Sequence, residues 1–228
     1  MTISRRRFWI KPEETIDLSD SGFLPDPDVE WGKIWSPALR GFETIAATRC
    51  LCLLGEPGMG KSTALRDAFE QQDGPKAFVD LRPCASGQDV REAIFRRADY
   101  LAWLTSGSAL ALFIDSLDEC LLRVDNVAAI LADGFAQAPT DRLFLRLTCR
   151  TAEWQHSLEQ KLRKKYGDSD IGIFELAPLR RIDVVSEAKA EGIVEADEFL
   201  REVITREAVP LAIKPVTLRF LIDQPIQA

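Results

Sequence analysis

The 228-residue sequence contains a single histidine, and its five cysteines include no pair with C-x-x-C spacing. These two features argue against a histidine-based metal site, a zinc site or a redox dithiol. No apolar segment has the length of an export signal or a membrane span, so we expect a cytoplasmic protein whose cysteines are reduced and buried. The net charge of −7 and the absence of long runs of like charge argue against nucleic acid as a primary partner.

The sequence does contain a complete phosphate-binding motif, G-x-x-x-x-G-K-[ST], between an apolar run that ends at Leu54 and a segment typical of a helix. It consists of Gly55, Glu56, Pro57, Gly58, Met59, Gly60, Lys61 and Ser62. Glycines allow the backbone to curl so that its N–H groups face phosphate oxygens, beside the positive end of the following helix. We therefore expect Lys61 to reach the β- and γ-phosphates of a nucleotide and the Ser62 hydroxyl to bind Mg²⁺.

A second cluster of polar residues follows the apolar run 110–114. Asp115 ends this predicted strand, so the strand would hold its carboxylate rigidly beside the phosphates on the Mg²⁺ side. Asp118 or Glu119, just beyond the strand, could accept a proton from the attacking water, and the sequence leaves open which of the two does so. Arg150 follows the predicted strand 143–148 and is a candidate γ-phosphate sensor, because a guanidinium offers several donors to phosphate oxygens.

The order of predicted elements indicates an α/β fold with a five-stranded, mostly parallel sheet between helices. We call the predicted strand that ends at Asp115 the acid strand. In the sequence, one predicted strand, 77–81, lies between the phosphate loop and the acid strand, which is the arrangement of the additional-strand class of P-loop NTPases. We predict a lead-in containing proline and tryptophan over residues 1–44, an NTPase core over 45–177 and the start of a helical subdomain over 178–228. The lead-in is expected to pack on the domain because it carries Trp9, Trp31 and Trp35.

Four segments together resemble the NACHT branch of the STAND NTPases. They are GEPGMGKS at 55–62, LFIDSLDE at 112–119, LTCR at 147–150 and FELAPL at 174–179. In that family the acid strand ends in Asp, a small residue, an apolar residue and Asp-Glu, the sensor strand ends in Thr/Ser-x-Arg, and a Leu-x-Pro-Leu segment leads into a helical subdomain. The resemblance covers about residues 45–222.

The resemblance implies a Mg²⁺-dependent ATPase switch, bound to ADP at rest and to ATP when assembled, in innate immunity or bacterial antiphage defence. It implies Mg²⁺ binding by Ser62 and Asp115, and contact of Pro215, or less well Pro210, with the adenine. The residues implied to bind phosphate are Gly58, Gly60, Lys61, Ser62 and Thr63. It also implies self-association of the full-length protein and an activating ligand that the sequence does not identify. Since members of the family continue into further domains, we expect the chain to be either the NTPase core of a larger protein or a minimal version.

Three other functions remain open at this stage. The first is a scaffold that holds ADP and turns over little nucleotide. The second is a remodelling ATPase of the AAA+ type, which is less favoured because Ser116 stands where those enzymes usually have glutamate. The third is a small-molecule kinase, which is least favoured because no arginine-rich lid segment is evident.

Overall fold

The computed structural model describes residues 6–223, which form two compact units. The larger unit comprises residues 42–56 and 61–174, and the smaller comprises the described parts of 1–41 and 175–228 together with 57–60. The described parts of the lead-in and of the C-terminal helical segment thus belong to one unit, whereas the sequence-based division treated them separately. The predicted borders at residues 44 and 177 stay a prediction.

The larger unit is built on a sheet of mostly parallel strands. They are β3 (Cys50–Leu54), β4 (Lys76–Asp80), β5 (Leu110–Asp115), β6 (Leu143–Cys149) and the beginning of β7 (Ile171–Leu176). Parallel pairing joins β3 to β6, β6 to β5 and β5 to β4, and Leu54 lies opposite Cys149 at one end. All six residues of β5 are buried, as expected for a central strand that is covered on both faces.

Helices of the larger unit connect these strands. They are α2 (Phe42–Ile45), α3 (Lys61–Gln71), α4 (Gly87–Ile94), α5 (Ala98–Ser106), α6 (Val124–Phe135) and α7 (His156–Tyr166), with 3-10 turns at Thr151–Glu153 and Asp168–Asp170. The Ser86 side chain caps α4 by accepting a hydrogen bond from the Asp89 N–H. Crossover helices of this kind return the chain to the start of the next parallel strand.

One predicted helix proves to be two. The spacing of Val90, Ile94, Leu101 and Leu104 predicts one helix that follows residues 86–89 and is closed by Ser106 and Gly107, but the chain breaks between α4 and α5. The Phe95 ring at the break packs edge-on against Phe135, with ring centroids 5.0 Å apart. The break changes the rotation of the second half, so Trp103 is buried while Leu101 is 49% exposed.

The smaller unit adds two strands that the sequence did not predict. β1 (Phe8–Ile10) pairs antiparallel with β2 (Arg40–Gly41) on one side and with the end of β7 on the other, where Trp9 lies opposite Leu176. The strand order is β2-β1-β7-β3-β6-β5-β4, so the sheet is mixed and has seven strands. The prediction of five strands was therefore too low, because it treated the lead-in as lacking strands.

The remaining helices belong to the smaller unit. They are α1 (Glu30–Trp35), α8 (Arg181–Ala190), α9 (Ala196–Thr205), α10 (Val209–Ala212) and α11 (Pro215–Asp223). Their core contains Phe23 of the lead-in, which is fully buried among α8, α9 and α11. The three lead-in tryptophans differ in exposure: Trp9 is 1% exposed, whereas Trp31 is 73% and Trp35 is 55% exposed.

A buried arginine secures the entry to β3. Arg146 of β6 is 1% exposed and donates hydrogen bonds to the carbonyl oxygens of Ala46 (2.5 Å), Thr48 (2.8 Å), Arg49 (3.2 Å) and Leu145 (3.0 Å). Burial lowers the pKa of its guanidinium to about 10. These contacts fix the turn that leads from α2 into the phosphate-loop strand.

All five cysteines are buried free thiols. Across residues 6–223, no helix combines the length and apolar composition needed to cross a bilayer.

Candidate functional site

The phosphate loop runs from the end of β3 to the first residue of α3, as its motif predicts. Gly58 and Gly60 have φ angles of +76° and +89°, which residues other than glycine rarely adopt. Space is also restricted at Gly58, where an added Cβ would lie 2.1 Å from Cγ1 of Val216. Both the backbone conformation and the surrounding atoms therefore require glycine at this position.

Lys61 curls back over the loop. Its Nζ donates hydrogen bonds to the carbonyl oxygens of Gly55 (2.6 Å) and Glu56 (3.1 Å). Burial lowers the pKa of the amine, and the negative charges of Asp118 and Glu119 act in the opposite direction. The Lys61 ammonium thus lies within the electrostatic reach of both candidate acids.

Ser62 and Asp115 meet at the carboxyl edge of the sheet. The Ser62 hydroxyl donates to Oδ1 of Asp115 over 3.1 Å. Asp115 is fully buried, and its Oδ2 has no hydrogen-bond partner within residues 6–223. A hydroxyl beside a carboxylate with an unpaired oxygen suits Mg²⁺, which prefers oxygen ligands and takes only one or two from protein carboxylates.

Thr148 positions the Asp115 carboxylate, a role the sequence did not reveal. Its hydroxyl donates to Oδ1 of Asp115 over 2.6 Å and accepts from the Ser116 N–H over 2.9 Å. Ser116 has a φ of +61°, an uncommon value for a residue with a side chain. The available signal was the Thr-x-Arg pattern at the end of β6, which placed Thr148 beside the acid strand without giving it a function.

Arg150 lies against both candidate acids, but the two differ in environment. The Asp118 side chain is 2% exposed. Its Oδ1 accepts a hydrogen bond from the Arg150 backbone N–H over 2.9 Å. Its Oδ2 forms an ion pair with Arg150 Nε at 2.9 Å, but the two atoms are not aligned for a hydrogen bond. Glu119 is 38% exposed, and its Oε1 lies 3.5 Å from Arg150 Nη2. Asp118 is therefore held from two sides, whereas Glu119 faces solvent and has one long contact.

The other predicted binding residues lie along the loop and at the start of one helix. Thr63 is exposed in the first turn of α3. Pro215 begins α11, and its Cγ lies 3.6 Å from the position that a Cβ on Gly60 would occupy. The next residue, Val216, donates its N–H to the Gly58 carbonyl over 3.3 Å. The smaller unit thus brings Pro215 to the phosphate-loop segment 57–60.

The order of the strands identifies the fold. Within the larger unit the order is β7-β3-β6-β5-β4, so β6 lies between the phosphate-loop strand and the acid strand. With the phosphate loop joining β3 to α3, this arrangement is a P-loop NTPase fold. The fold places Lys61, Asp115 and Arg150 at one edge of the sheet.

Comparison with solved structures finds similar folds at low identity. The RuvB Holliday junction branch migration motor of Thermotoga maritima is 18% identical, with a TM-score of 0.46 over 77% of this chain and 53% of that chain. Two single-substitution variants of the same motor align over 91% and 92% of this chain, with TM-scores of 0.47 and 0.46 and identities of 17% and 16%. The chain spans 53% to 65% of the length of these structures. No family model and no curated protein matches the sequence.

Proposed function

We propose that this protein is an ATP-binding and ATP-hydrolysing switch of the NACHT/STAND type, whose nucleotide state controls self-association in a defence or signalling protein. The observation that carries the proposal is the convergence of Ser62, Asp115 and Thr148 at the end of the phosphate loop. A buried carboxylate oxygen without a partner beside a motif hydroxyl is the arrangement that a Mg²⁺-nucleotide requires.

Each motif residue has a defined part in this proposal. The backbone N–H groups of 58–60 and the Lys61 ammonium would hold the nucleotide phosphates, and Ser62 and Asp115 would hold Mg²⁺, which neutralises phosphate charge when bound. Lys61 would exchange its bonds to the Gly55 and Glu56 carbonyls for phosphate oxygens. In keeping with the family resemblance, Thr63 would contact the phosphates and Pro215 the adenine.

The geometry favours Glu119 over Asp118 as the acid that activates water. A general base must reach its proton with a lone pair that is free to accept it. Asp118 is buried and engaged by both the backbone and the side chain of Arg150, whereas Glu119 retains access to solvent. Glu119 would accept a proton from the attacking water, and Asp118 would position Arg150 as the phosphate sensor.

A scaffold that holds ADP is the second candidate, and the Arg150 contacts favour it. With its guanidinium between both acids, Arg150 offsets the negative charge that water activation requires. An AAA+ remodelling ATPase is less favoured because Ser116, not glutamate, follows Asp115. The switch and scaffold proposals share one nucleotide site and differ in turnover.

Nucleotide binding is tested with Lys61→Ala. Removing one charged donor from the phosphates should weaken ATP and ADP binding about tenfold to a hundredfold, measured by titration with a fluorescent nucleotide. Lys161→Ala is a matched control, since Lys161 is exposed on α7. Unchanged binding by Lys61→Ala would show that the site is wrongly assigned.

Turnover separates the two candidates. Steady-state phosphate release is compared for the unmodified protein, Glu119→Gln and Asp118→Asn, and a switch predicts loss of release with Glu119→Gln while ATP still binds. Equal and negligible rates for all three proteins would favour the ADP scaffold. Light scattering with ADP or ATP then tests whether nucleotide state controls self-association.

A further inference from the structure

Arg7, two residues before Trp9 in the lead-in, contacts the phosphate loop from outside. Its Nη1 donates a hydrogen bond to the Met59 carbonyl over 2.8 Å, and its Nη2 donates to the Ala177 carbonyl over 2.7 Å. Arg7, Met59 and Ala177 all belong to the smaller unit. One guanidinium therefore joins the tip of the loop to the residue that follows β7.

The loop carbonyl that Arg7 contacts needs a partner. A loop that turns its N–H groups toward a phosphate turns carbonyl groups the other way, and a buried carbonyl without a donor is costly. Met59 is 5% exposed, so water has little access to this residue. Arg7 Nη1 also lies 3.1 Å from the position of a Cβ on Gly60, so the guanidinium packs where any side chain at residue 60 would begin.

The second residue that Arg7 contacts, Ala177, is held in place by its own burial and backbone hydrogen bond. Ala177 is fully buried, and its N–H donates to the Phe8 carbonyl over 2.9 Å, next to the pairing of β1 with β7. A planar guanidinium can hold two carbonyls at fixed separation with its two arms, and a lysine ammonium has no such fork. Arg7 thus ties the loop tip to a strand end that is already fixed.

We propose that Arg7 is a positioning residue of the nucleotide site, which holds residues 57–60 in the conformation that presents the N–H groups of Gly58, Met59 and Gly60 to phosphate. This inference rests on the proposed nucleotide binding and assigns part of the affinity to the lead-in. Because the coupling between loop conformation and nucleotide binding is reciprocal, bound nucleotide should in turn protect the loop amides from hydrogen exchange.

The test compares Arg7→Gln and Arg7→Lys with Arg6→Gln. The neighbouring Arg6 forms an ion pair with Asp28, so its replacement makes the same charge change as Arg7→Gln while the Arg7 contacts are kept. Stopped-flow release of fluorescent ADP and ATP gives affinity and dissociation rate. Hydrogen exchange of segment 57–60 without nucleotide reports the loop directly, and thermal unfolding confirms that each variant is folded.

We expect both Arg7 variants to bind nucleotide about tenfold more weakly because one charge-assisted hydrogen bond is lost. The weaker binding should come from faster nucleotide dissociation, and hydrogen exchange in segment 57–60 should be faster. Arg6→Gln should match the unmodified protein. Wild-type binding by Arg7→Lys would overturn the inference, since charge alone would then suffice. If Lys61→Ala leaves binding intact, the proposed function fails instead, and unaltered exchange of 57–60 in Arg7→Lys would separately refute the positioning role.

Discussion

Replacing Thr148 with valine should destabilise the protein because two buried polar groups would each lose one hydrogen bond. Valine has nearly the shape of threonine, so the substitution removes a hydroxyl without opening a large cavity. Thr148 is 1% exposed, which leaves little access for water to take the place of the hydroxyl. The Ser116 N–H would lose its acceptor, and Oδ1 of Asp115 would keep only the longer bond from Ser62.

The expected cost follows from these two losses. A hydrogen bond to a charged group contributes about 1.5–3 kcal/mol, and a buried donor left unpaired costs about 1–3 kcal/mol. The two contributions share one hydroxyl and are not additive, so we expect a loss of about 3 kcal/mol in the free energy of unfolding. For a chain of this length, that corresponds to a decrease of roughly 6–12 °C in the unfolding midpoint.

The assay is urea and thermal denaturation of nucleotide-free protein, with Thr148→Ser as the matched control. Serine keeps the hydroxyl and loses one methyl group, so it should cost only about 1 kcal/mol. A valine variant that is as stable as the serine variant would refute the view that this hydroxyl holds the ends of β5 and β6 together. Mg²⁺-dependent ATP binding should weaken in the valine variant, because Asp115 would lose its orientation.

Two further substitutions test the packing around the site and the entry to β3. Gly58→Ala should cost about 1–2 kcal/mol for a left-handed residue with a side chain, plus a clash with Val216 that Val216→Ala relieves; denaturation of the single and double variants measures both parts. Arg146→Met should cost about 1–3 kcal/mol in the same assay, since it removes the donor to carbonyls of the α2–β3 turn; unchanged stability would show that water replaces the guanidinium.

The sequence predicted those parts of the fold that depend on neighbours along the chain. The phosphate loop, α3 and the acid strand were recognisable because glycine spacing and a continuous apolar run are local signals. β1 and β2 were missed because strands of three and two residues show no periodicity. Their pairing depends on a partner far along the chain, since Trp9 lies opposite Leu176.

The candidate site was predictable to the same extent. Lys61, Ser62 and Asp115 follow from motifs, whereas Arg7 contacts a carbonyl 52 residues away, and no local pattern marks such a pair. Thr148 and Arg146 both lie in an apolar strand, where the sequence shows a polar residue but not the direction of its side chain. The exposure of Trp31 likewise depends on which surfaces remain uncovered after the lead-in has folded, which composition does not determine.

The contacts of Asp118 also bear on how Arg150 could act as a sensor. Oδ1 of Asp118 is bound by the Arg150 backbone N–H, and only Oδ2 faces the guanidinium. The Arg150 side chain can therefore leave Asp118 for a phosphate while the backbone bond keeps the end of β6 in place. The Asp118 side chain is 2% exposed and the Arg150 side chain is 40% exposed, so solvent already reaches the guanidinium. Movement of the guanidinium would also release Glu119, so the proposed sensing by Arg150 would control the availability of the acid that we propose activates water.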